Sequence, residues 1–588
     1  MAETDYDSYS VVASIDIDTT RSSYAFGFTY NLKKDQSDIY IPSWRQHGTM
    51  SNMTSTTVLL NKKREFVDFG YEAEDRYERL AEEEKKEDYY YFHRFKMLLN
   101  DKIRTTTLTL STTIPDIHGK ELPAVEVFSH AIKFLKNHLL GNIFKDLEQR
   151  NSIATDKDIF WVVTVPAISD NNAKQFLRKA AEQAGIDKDK LRIALEPEAA
   201  SIWCKHLPVA KLKESNNRID SFQVDSKYLV LDAGGGTIDI TTPEVKDGGK
   251  LRELTRASGG DWGGVSVDKA FEVVLTEVVG EGLMKEFRRT YTADYFELFR
   301  DFEIKKRKRN ESKKDEAFVT LKIPLSLVEL CGNMAGMIAC TKYKGNIDLE
   351  LDKLRINRAT FEDLFRTTCD RVVDHVKKLL QSPKAKGVDF ILMVGGFSES
   401  PVLQDEIKSA FCSKYRVIVP QEAGLTVLRG AVLFGKDPST IDCRIAQRTY
   451  GIASTRTFDH KIHKESKKFQ VNKVDRCDDL FSRHVKKDDE LILNVAQAEK
   501  SYTPLKADQE SMHISLYKSE VDNPMYIDDP GCTYLGSFDV PMRDTTGGLD
   551  REVKVRLLFG DTEIEVKCLV VRTGKETSYQ FKFLEDEP

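Results

Sequence analysis

The 588-residue sequence has no apolar run long enough to span a bilayer, and its opening MAETDYDSYS has no apolar core of a signal peptide. We therefore expect a cytoplasmic or nuclear protein without a membrane span. No acidic or basic tail is present, and the net charge is −6. That balance argues against nucleic acid as a partner.

The nine cysteines include no C-x-x-C pair and no neighbouring histidine at zinc spacing. This pattern argues against a zinc module and predicts reduced, mostly buried thiols. Three motifs are also missing: the G-x-x-x-x-G-K-[ST] phosphate loop, the kinase glycine loop with H-R-D, and the G-x-S-x-G nucleophile turn. Any nucleotide site must therefore belong to another class.

Hydrophobic periodicity predicts an α/β region up to about residue 435. FWVVTVPA at 160–167 predicts a strand, and a helix is expected to begin after Ser169 or Asp170 and to end at Gly185. Past about residue 446 the period changes to two, which predicts an antiparallel β-sandwich. Its alternating positions are Met512, Ile514, Leu516; Val553, Val555, Leu557; Ile564, Val566, Cys568; Tyr579, Phe581 and Phe583.

Two stretches repeat one design. VASIDIDTT at 12–20 and YLVLDAGGGTIDI at 228–240 each run an apolar strand into an aspartate, turn through threonine, and return as an apolar segment. This internal repeat predicts two similar lobes that face each other.

The second of these turns has the composition of a phosphate-binding loop. Glycines at 234–236 let consecutive backbone N–H groups converge on phosphate oxygens. Asp232 and Asp239 flank them, and Asp16 has the matching place in the first turn. Carboxylates beside a polyphosphate normally imply Mg²⁺ with retained waters. The alternative interpretation is a flexible turn. It is less favoured because the stretch at 12–20 repeats the same design.

Two further patterns are compatible with a nucleoside. In LMVGGFSESP, Gly395 and Gly396 would let a base or phosphate approach the following helix, although an ordinary strand–helix turn also explains them. In FEIKKRKRN, Glu303, Lys306 and Arg307 share one helix face. A carboxylate for ribose hydroxyls beside a stacking guanidinium forms a nucleoside clamp. The alternatives are a solvated helix face and a basic run of the nuclear-import kind.

Taken in order, seven motifs resemble those of the actin-like ATPases, and within them the seventy-kilodalton heat-shock chaperone family: IDIDTT, VVTVPA, LEPEAASIW, LDAGGGTIDI, GGDWGG, FEIKKRK and MVGGFSESP. PQEAGLTVLRGAVLFG, RTYGI, KSYTP and LLFGDTEIEV look most like its divergent twelve-A and twelve-B branch. The resemblance covers nearly the whole chain. It implies an α/β fold, with a two-lobed actin-like ATPase domain over 1–440 and a lidless antiparallel β-sandwich over 441–588. The lobes, duplicated ribonuclease-H-like units, would lie at about 10–225 and 226–435.

The same resemblance assigns roles by position. It implies that ATP or ADP binds with Mg²⁺, which Asp16, Asp232 and Asp239 hold mostly through water. Glu196, Asp232 and Lys96 would be catalytic. The remaining residues implied to bind the nucleotide are Asp16, Thr19, Thr20, Gly234, Gly235, Gly236, Thr237, Gly263, Gly264, Asp268, Glu303, Lys306, Arg307, Gly395 and Gly396.

The sequence departs from the family pattern at three places. Asp18 replaces a glycine, so we expect a strained turn and a repulsion of about 4 kcal/mol with a phosphate at about 4 Å, unless Asp18 holds a metal instead. A polar segment at 435–447 replaces the leucine-rich interdomain linker, which makes coupling between the domains doubtful. The helical lid and acidic tail motif are absent, so the usual co-chaperones are not expected.

Three functions are compatible with these features. The favoured one is an ATP-binding chaperone-like stress-response protein, a weak ATPase that converts ATP to ADP and phosphate and contacts client or signalling proteins through its sandwich. The second is a nucleotide-gated or catalytically inactive interaction scaffold, in which Asp18 has disabled the first loop. A sugar or acetate kinase on the same fold is the least favoured.

Overall fold

The computed structural model describes residues 9–46, 49–100, 107–149, 156–207, 212–213, 222–307, 317–493, 495–560 and 563–581. The fold is mixed α/β with several sheets. The chain divides into two compact units: unit 1 comprises Met1–Thr241 and Ser258–Pro438, and unit 2 comprises Thr242–Ala257 and Ser439–Pro588. No helix in the described ranges is long and apolar enough to cross a membrane.

The first part of the chain, up to residue 213, contains these elements: β1 (Val11–Ile17), β2 (Arg21–Phe28), α1 (Thr29–Lys34), β3 (Trp44–Gln46), β4 (Thr49–Ser51), β5 (Thr54–Ser55), β6 (Thr57–Asn61), β7 (Phe66–Phe69), α2 (Tyr71–Glu82), β8 (Tyr89–His93), β9 (Thr113–Pro115), β10 (Glu121–Pro123), α3 (Ala124–Gln149), β11 (Ile159–Val165), α4 (Asn171–Gln183), β12 (Leu191–Leu195), α5 (Glu196–Lys205) and β13 (Leu212–Lys213).

The middle part contains β14 (Lys227–Ala233), β15 (Ile238–Val245), β16 (Leu251–Gly260), α6 (Gly264–Val279), α7 (Glu281–Thr290), α8 (Thr292–Arg307), β17 (Phe318–Lys322), α9 (Leu325–Cys331), α10 (Met334–Ala339), β18 (Ile347–Glu350), β19 (Lys353–Asn357), α11 (Arg358–Leu380), β20 (Val388–Val394), α12 (Pro401–Phe411), β21 (Arg416–Pro420) and α13 (Thr426–Lys436).

The last part contains strands: β22 (Ile441–Ile445), β23 (Thr449–Thr457), β24 (Lys468–Val471), β25 (Val474–Val485), β26 (Glu490–Ile492), β27 (Lys500–Tyr502), β28 (Ser511–Ser519), β29 (Cys532–Pro541), β30 (Val553–Phe559), β31 (Ile564–Val570) and β32 (Lys575–Phe581). In the described part of the chain, no α-helix follows α13.

Two sheets organise unit 1. The first has the order β12-β11-β1-β2-β5, in which β1, β11 and β12 run parallel and β2 returns antiparallel to β1. All seven residues of β1 are buried, as in parallel strands that are covered on both faces. The part of the second sheet that begins in unit 1 has the order β13-β21-β20-β14-β15, with β14, β20 and β21 parallel.

Local sequence signals place several of these elements correctly. Asp170 caps α4 by accepting a hydrogen bond from the Ala173 N–H at 2.8 Å, and Gly185 follows the helix with a φ of +85°. The strand predicted at 160–167 is β11. Each repeated stretch forms a strand–turn–strand pair, β1–β2 and β14–β15, whose strands are neighbours in their sheets.

Unit 2 contains a five-stranded sheet, β24-β25-β23-β28-β29, and a four-stranded sheet, β27-β30-β31-β32. Alternating residues of both sheets join one hydrophobic cluster, which includes Leu516 and Val566. Tyr579 was expected to be buried but is 43% exposed, because β32 is an edge strand on which only Phe581 joins the core. Its ring stacks on Phe538 with the centroids 4.9 Å apart. Phe583 lies outside the described residues.

The segment 435–447, expected to be a polar linker, contains strand β22. Ile441, Cys443 and Ile445 are buried, and β22 pairs with the 251–252 part of β16 and with β26, all within unit 2. The segment is polar on average, so the sequence did not predict a strand there, although apolar residues alternate with Asp442 and Arg444. All nine cysteines are free, and five are buried.

Helix α13 packs closely on α5, and Gly430 permits that approach. A Cβ atom at Gly430 would overlap the carbonyl group of Ala199. We expect Gly430→Ala to destabilise unit 1 by about 1–3 kcal/mol, because α13 must shift to accommodate the methyl group. Thermal unfolding measures the effect.

The matched control is Gly141→Ala. Gly141 is exposed to solvent in the middle of α3, and a Cβ atom there would meet nothing within 4 Å. This substitution should stabilise the protein by about 0.5–1 kcal/mol through helix propensity. A Gly430→Ala variant that unfolds at the wild-type temperature would contradict the packing argument.

Candidate functional site

A buried lysine lies at the centre of the site. Lys96 belongs to the short 3₁₀ turn Phe95–Leu99 after β8, and its side chain is 3% exposed. Its Nζ atom is 2.7 Å from Glu196 Oε1 and 3.5 Å from Asp18 Oδ1. Burial lowers the pKa of Lys96, but the charges of Glu196, Asp18 and Asp16 outweigh it, so the pKa is raised and the ammonium stays charged.

Three aspartates on strands surround this ion pair. Asp16, on β1, accepts a hydrogen bond from Thr164 Oγ1 at 2.6 Å. Asp239, on β15, accepts one from the Ile168 N–H at 2.8 Å, and burial raises its pKa to about 6. Asp232, on β14, is buried, and burial together with the charge of Asp239 raises its pKa well above its ordinary value. Among the described residues, Asp232 Oδ2 has no hydrogen-bond partner.

These groups fit a divalent cation. Against the effect of burial, the charge of Lys96 lowers the pKa values of four buried carboxyl groups, those of Asp16, Glu196, Asp232 and Asp239, and the unpartnered oxygen of Asp232 requires a donor or a metal. Within the described ranges, however, no group of three or more histidine, cysteine or acidic residues is arranged to hold a metal directly. A Mg²⁺ ion in this site would therefore keep water ligands.

The two candidate phosphate loops contact each other. A Cβ atom on Gly235 would lie 2.5 Å from Thr20 Oγ1, and one on Gly236 would overlap Thr19 Oγ1. The second loop closes through the Gly234 N–H, which donates to the Thr237 carbonyl at 2.9 Å. The structure thus brings together the threonines of the first loop and the glycines of the second.

The start of helix α6 lies directly behind the second loop. The Gly264 N–H donates to the Gly234 carbonyl at 3.2 Å, and the Val265 N–H donates to the Gly235 carbonyl at 2.8 Å. A Cβ atom on Gly263 would lie 2.6 Å from the Gly235 carbonyl oxygen. Gly263 and Gly264 therefore pack directly against the second loop.

Glu303, Lys306 and Arg307, the residues of the predicted nucleoside clamp, contact one another on α8. Glu303 lies 2.5 Å from Lys306 Nζ and 2.5 Å from Arg307 Nε. Although burial opposes them, these charges hold the pKa of Glu303 below its ordinary value. Lys306 is buried and also lies 2.6 Å from Asp268 Oδ1, so it anchors α8 to α6.

The turn that contains Gly395 and Gly396 borders the same region. Gly395 has a φ of +83°, and a side chain there would overlap Asp232. A Cβ atom on Gly396 would lie 3.5 Å from Arg307 Nη2. One cavity is lined by residues of all three turns and of helices α5 and α8, among them Asp16, Asp18, Thr20, Glu196, Asp232, Gly234, Arg307, Gly395 and Gly396. The other predicted site residues do not line it.

Sequence reasoning missed Arg21 and Glu399, which also line the cavity. Arg21 Nη2 is 3.6 Å from Glu303 Oε1, and Glu399 Oε2 is 3.4 Å from Arg307 Nη1. Arg21 directly follows the Thr19–Thr20 pair, so its place in the sequence could have identified it as a residue of the site. No sequence pattern pointed to Glu399 as a partner of α8.

The expected strain at Asp18 is absent. Asp18 does not have a positive φ, its N–H donates to the Arg21 carbonyl at 3.1 Å, and its carbonyl accepts from Thr56 Oγ1 at 2.6 Å. An aspartate therefore fits this turn without left-handed backbone. Its side chain accepts a hydrogen bond from the Gly235 N–H, with 3.2 Å between Oδ2 and N.

Comparisons with known proteins show which family the chain is similar to. A family model described as Hsp70 protein matches residues 99–512. Heat shock 70 kDa protein 12A of Homo sapiens is 32% identical over 633 residues, which cover 98% of this chain and 92% of the relative. Heat shock 70 kDa protein 12B of Homo sapiens is 32% identical over 641 residues, covering 98% and 91%. Chaperone protein DnaK of Mycoplasmopsis pulmonis (strain UAB CTIP) is 26% identical over 340 residues, covering 57% and 49%.

A double-mutant cycle tests whether Lys96 and Glu196 stabilise the protein as a pair. Lys96→Met leaves a buried carboxylate without its ammonium, and we expect it to lower the free energy of unfolding by about 3 kcal/mol. Adding Glu196→Gln removes the unpaired charge, so the double variant should recover part of the loss. Urea unfolding of the wild type, both single variants and the double variant gives the coupling energy. Additive effects would show that the two side chains do not depend on each other.

Proposed function

The chain belongs to the Hsp70 family, as a divergent member like heat shock 70 kDa proteins 12A and 12B, and on this premise we propose that it is an ATP-binding chaperone-like protein with slow Mg²⁺-dependent ATP hydrolysis. One observation carries the proposal. Residues of the Asp16–Thr20 turn, of the glycine turns at 234–236 and 395–396 and of the C-terminal end of helix α8 line one cavity, and three buried carboxylates, Asp16, Glu196 and Asp232, are among them. This combination of phosphate donors, cation ligands and nucleoside contacts is suited to a nucleoside polyphosphate.

We further propose that the nucleotide domain consists of two actin-like lobes, at about 10–225 and 226–435. The matching β1–β2 and β14–β15 turns, each joining neighbouring strands of its own sheet, support this arrangement. For residues 441–588 we propose a β-sandwich that engages a peptide or protein partner. Its support is the single hydrophobic cluster that both sheets of unit 2 share.

In this proposal, the chain binds the phosphates through the backbone N–H groups of the second loop, the hydroxyls of Thr19 and Thr20, and the Lys96 ammonium. Mg²⁺, when bound, would neutralise phosphate charge and supply ordered waters beside Asp16, Asp232 and Asp239. Arg307 and Gly396 would accommodate the base, and Glu303 would contact the ribose.

Asp232 and Glu196 would act on the attacking water. The unpartnered Oδ2 of Asp232 would accept the proton of that water. Glu196, fixed by Lys96, would orient the water. The transfer then depends on positioning and charge stabilisation, and it needs no covalent intermediate.

The second candidate is an interaction scaffold that is gated by nucleotide or inactive as an enzyme. The contact of the Asp18 carboxylate with the Gly235 N–H favours it, since that donor belongs to the proposed phosphate loop. Under either candidate we propose protein partners for the C-terminal strands. The net charge of −6 gives no support for nucleic acid.

If Asp232 and Glu196 act in catalysis, substituting them should slow ATP hydrolysis but leave nucleotide binding intact. Asp232→Asn and Glu196→Gln should each reduce single-turnover phosphate release by about a hundredfold, because proton transfer and water orientation are lost. Calorimetry should still detect binding of ADP with Mg²⁺ to both variants. Asp389→Asn, an exposed charge on β20, is the matched control and should behave as the wild type.

Equal phosphate release by all four proteins would place hydrolysis outside this site. Binding without release by the wild type would favour the nucleotide-gated scaffold. No binding by any of the proteins would contradict the proposed nucleotide site.

A further inference from the structure

The carboxylate of Asp18 already occupies donors that a phosphate would use. Its Oδ2 accepts the hydrogen bond from the Gly235 N–H, and its Oδ1 is 3.5 Å from Lys96 Nζ. A Cβ atom on Gly234 would lie 3.5 Å from the same Oδ1. The carboxylate therefore bridges the glycine turn and the buried lysine, which are 138 residues apart in the chain.

The backbone of Asp18 fixes this arrangement. Its N–H donates to the Arg21 carbonyl, and its carbonyl accepts from Thr56 Oγ1, so the main chain is anchored on both sides of the side chain. The carboxylate is 20% exposed and lines the cavity. It is thus held against the loop while one side of it still faces the cavity.

A carboxylate and a terminal phosphate compete for such donors for a simple chemical reason. Both are anions with several acceptor oxygens, and both bind glycine-loop N–H groups and ammonium groups. A phosphate that approached Gly235 and Lys96 would have to displace Asp18 or remain beside its negative charge. A nucleotide with fewer phosphates avoids that repulsion, provided that its base lies at the Arg307 and Gly396 end of the cavity.

We propose that Asp18 is a built-in substitute for the terminal phosphate, so that the site selects nucleoside mono- and diphosphates over nucleoside triphosphates. This inference rests on the proposed nucleotide site and names its ligand class. The proposal also explains why Asp18 of the first loop contacts the second loop. Its carboxylate takes the position in which a bound phosphate would otherwise lie between the two loops. The competing interpretation, Asp18 as a metal ligand, requires its oxygens to leave the N–H and ammonium groups that they contact.

The test is calorimetric titration of AMP, ADP and ATP, each with and without Mg²⁺, into the full chain. Wild type, Asp18→Asn and Asp18→Gly are compared. We expect the wild type to bind ADP at least tenfold more tightly than ATP. Both variants should gain at least tenfold in ATP affinity, whereas their AMP affinity should change less than twofold. Asp18→Asn keeps the side-chain size and removes only the charge, so it reports the effect even where Asp18→Gly perturbs the turn.

Glu72→Gln, an exposed charge on α2, is the control for net charge and should bind all three nucleotides as the wild type does. Equal ATP affinity of the wild type and both Asp18 variants would overturn the inference. Tighter Mg²⁺-dependent ATP binding by the wild type than by Asp18→Asn would overturn it too, since Asp18 would then hold the metal. If AMP, ADP and ATP all fail to bind to every protein, the proposed nucleotide site fails, and this inference fails with it.

Discussion

The buried ion pair between Lys96 and Glu196 is the interaction on which the site depends. Removing two charges from water is costly, and the pair is stabilising only because its geometry is close and further groups satisfy it. Asp16, Asp18 and Asp232 add negative charge around the same ammonium. Without Lys96, a cluster of buried carboxylates would repel itself. The lysine therefore permits the acidic groups that would hold a hydrated cation.

The fold supplies that cluster by ending several strands in one place. Asp16 and Asp232 lie near the ends of β1 and β14, and Glu196 begins α5 directly after β12. The glycines let backbone approach backbone, as the contact of Gly263 with Gly235 shows. Asp18 adds a carboxylate of the chain on the Gly235 N–H, within the proposed phosphate loop.

Much of this could be predicted from local sequence. The cap at Asp170, the repeated strand–turn–strand design and the period-two strands of unit 2 depend on neighbouring residues, and the structure confirms them. Features that depend on distant partners were missed. Strand β22 looked polar because its pairing partners are far away in the sequence, and Tyr579 is exposed because β32 is an edge strand. The contact of Asp18 with Gly235 spans 217 residues, so no local pattern contained it.

The most direct test of this account is a crystal structure of the full chain grown with ADP and Mg²⁺. The account predicts phosphate density beside the N–H groups of residues 234–237 and Lys96, the base near Arg307 and Gly396, and the cation near Asp16 and Asp232. Nucleotide density elsewhere, or a cavity that contains only water at saturating ADP, would contradict the claim that the Lys96 cluster is a nucleotide site.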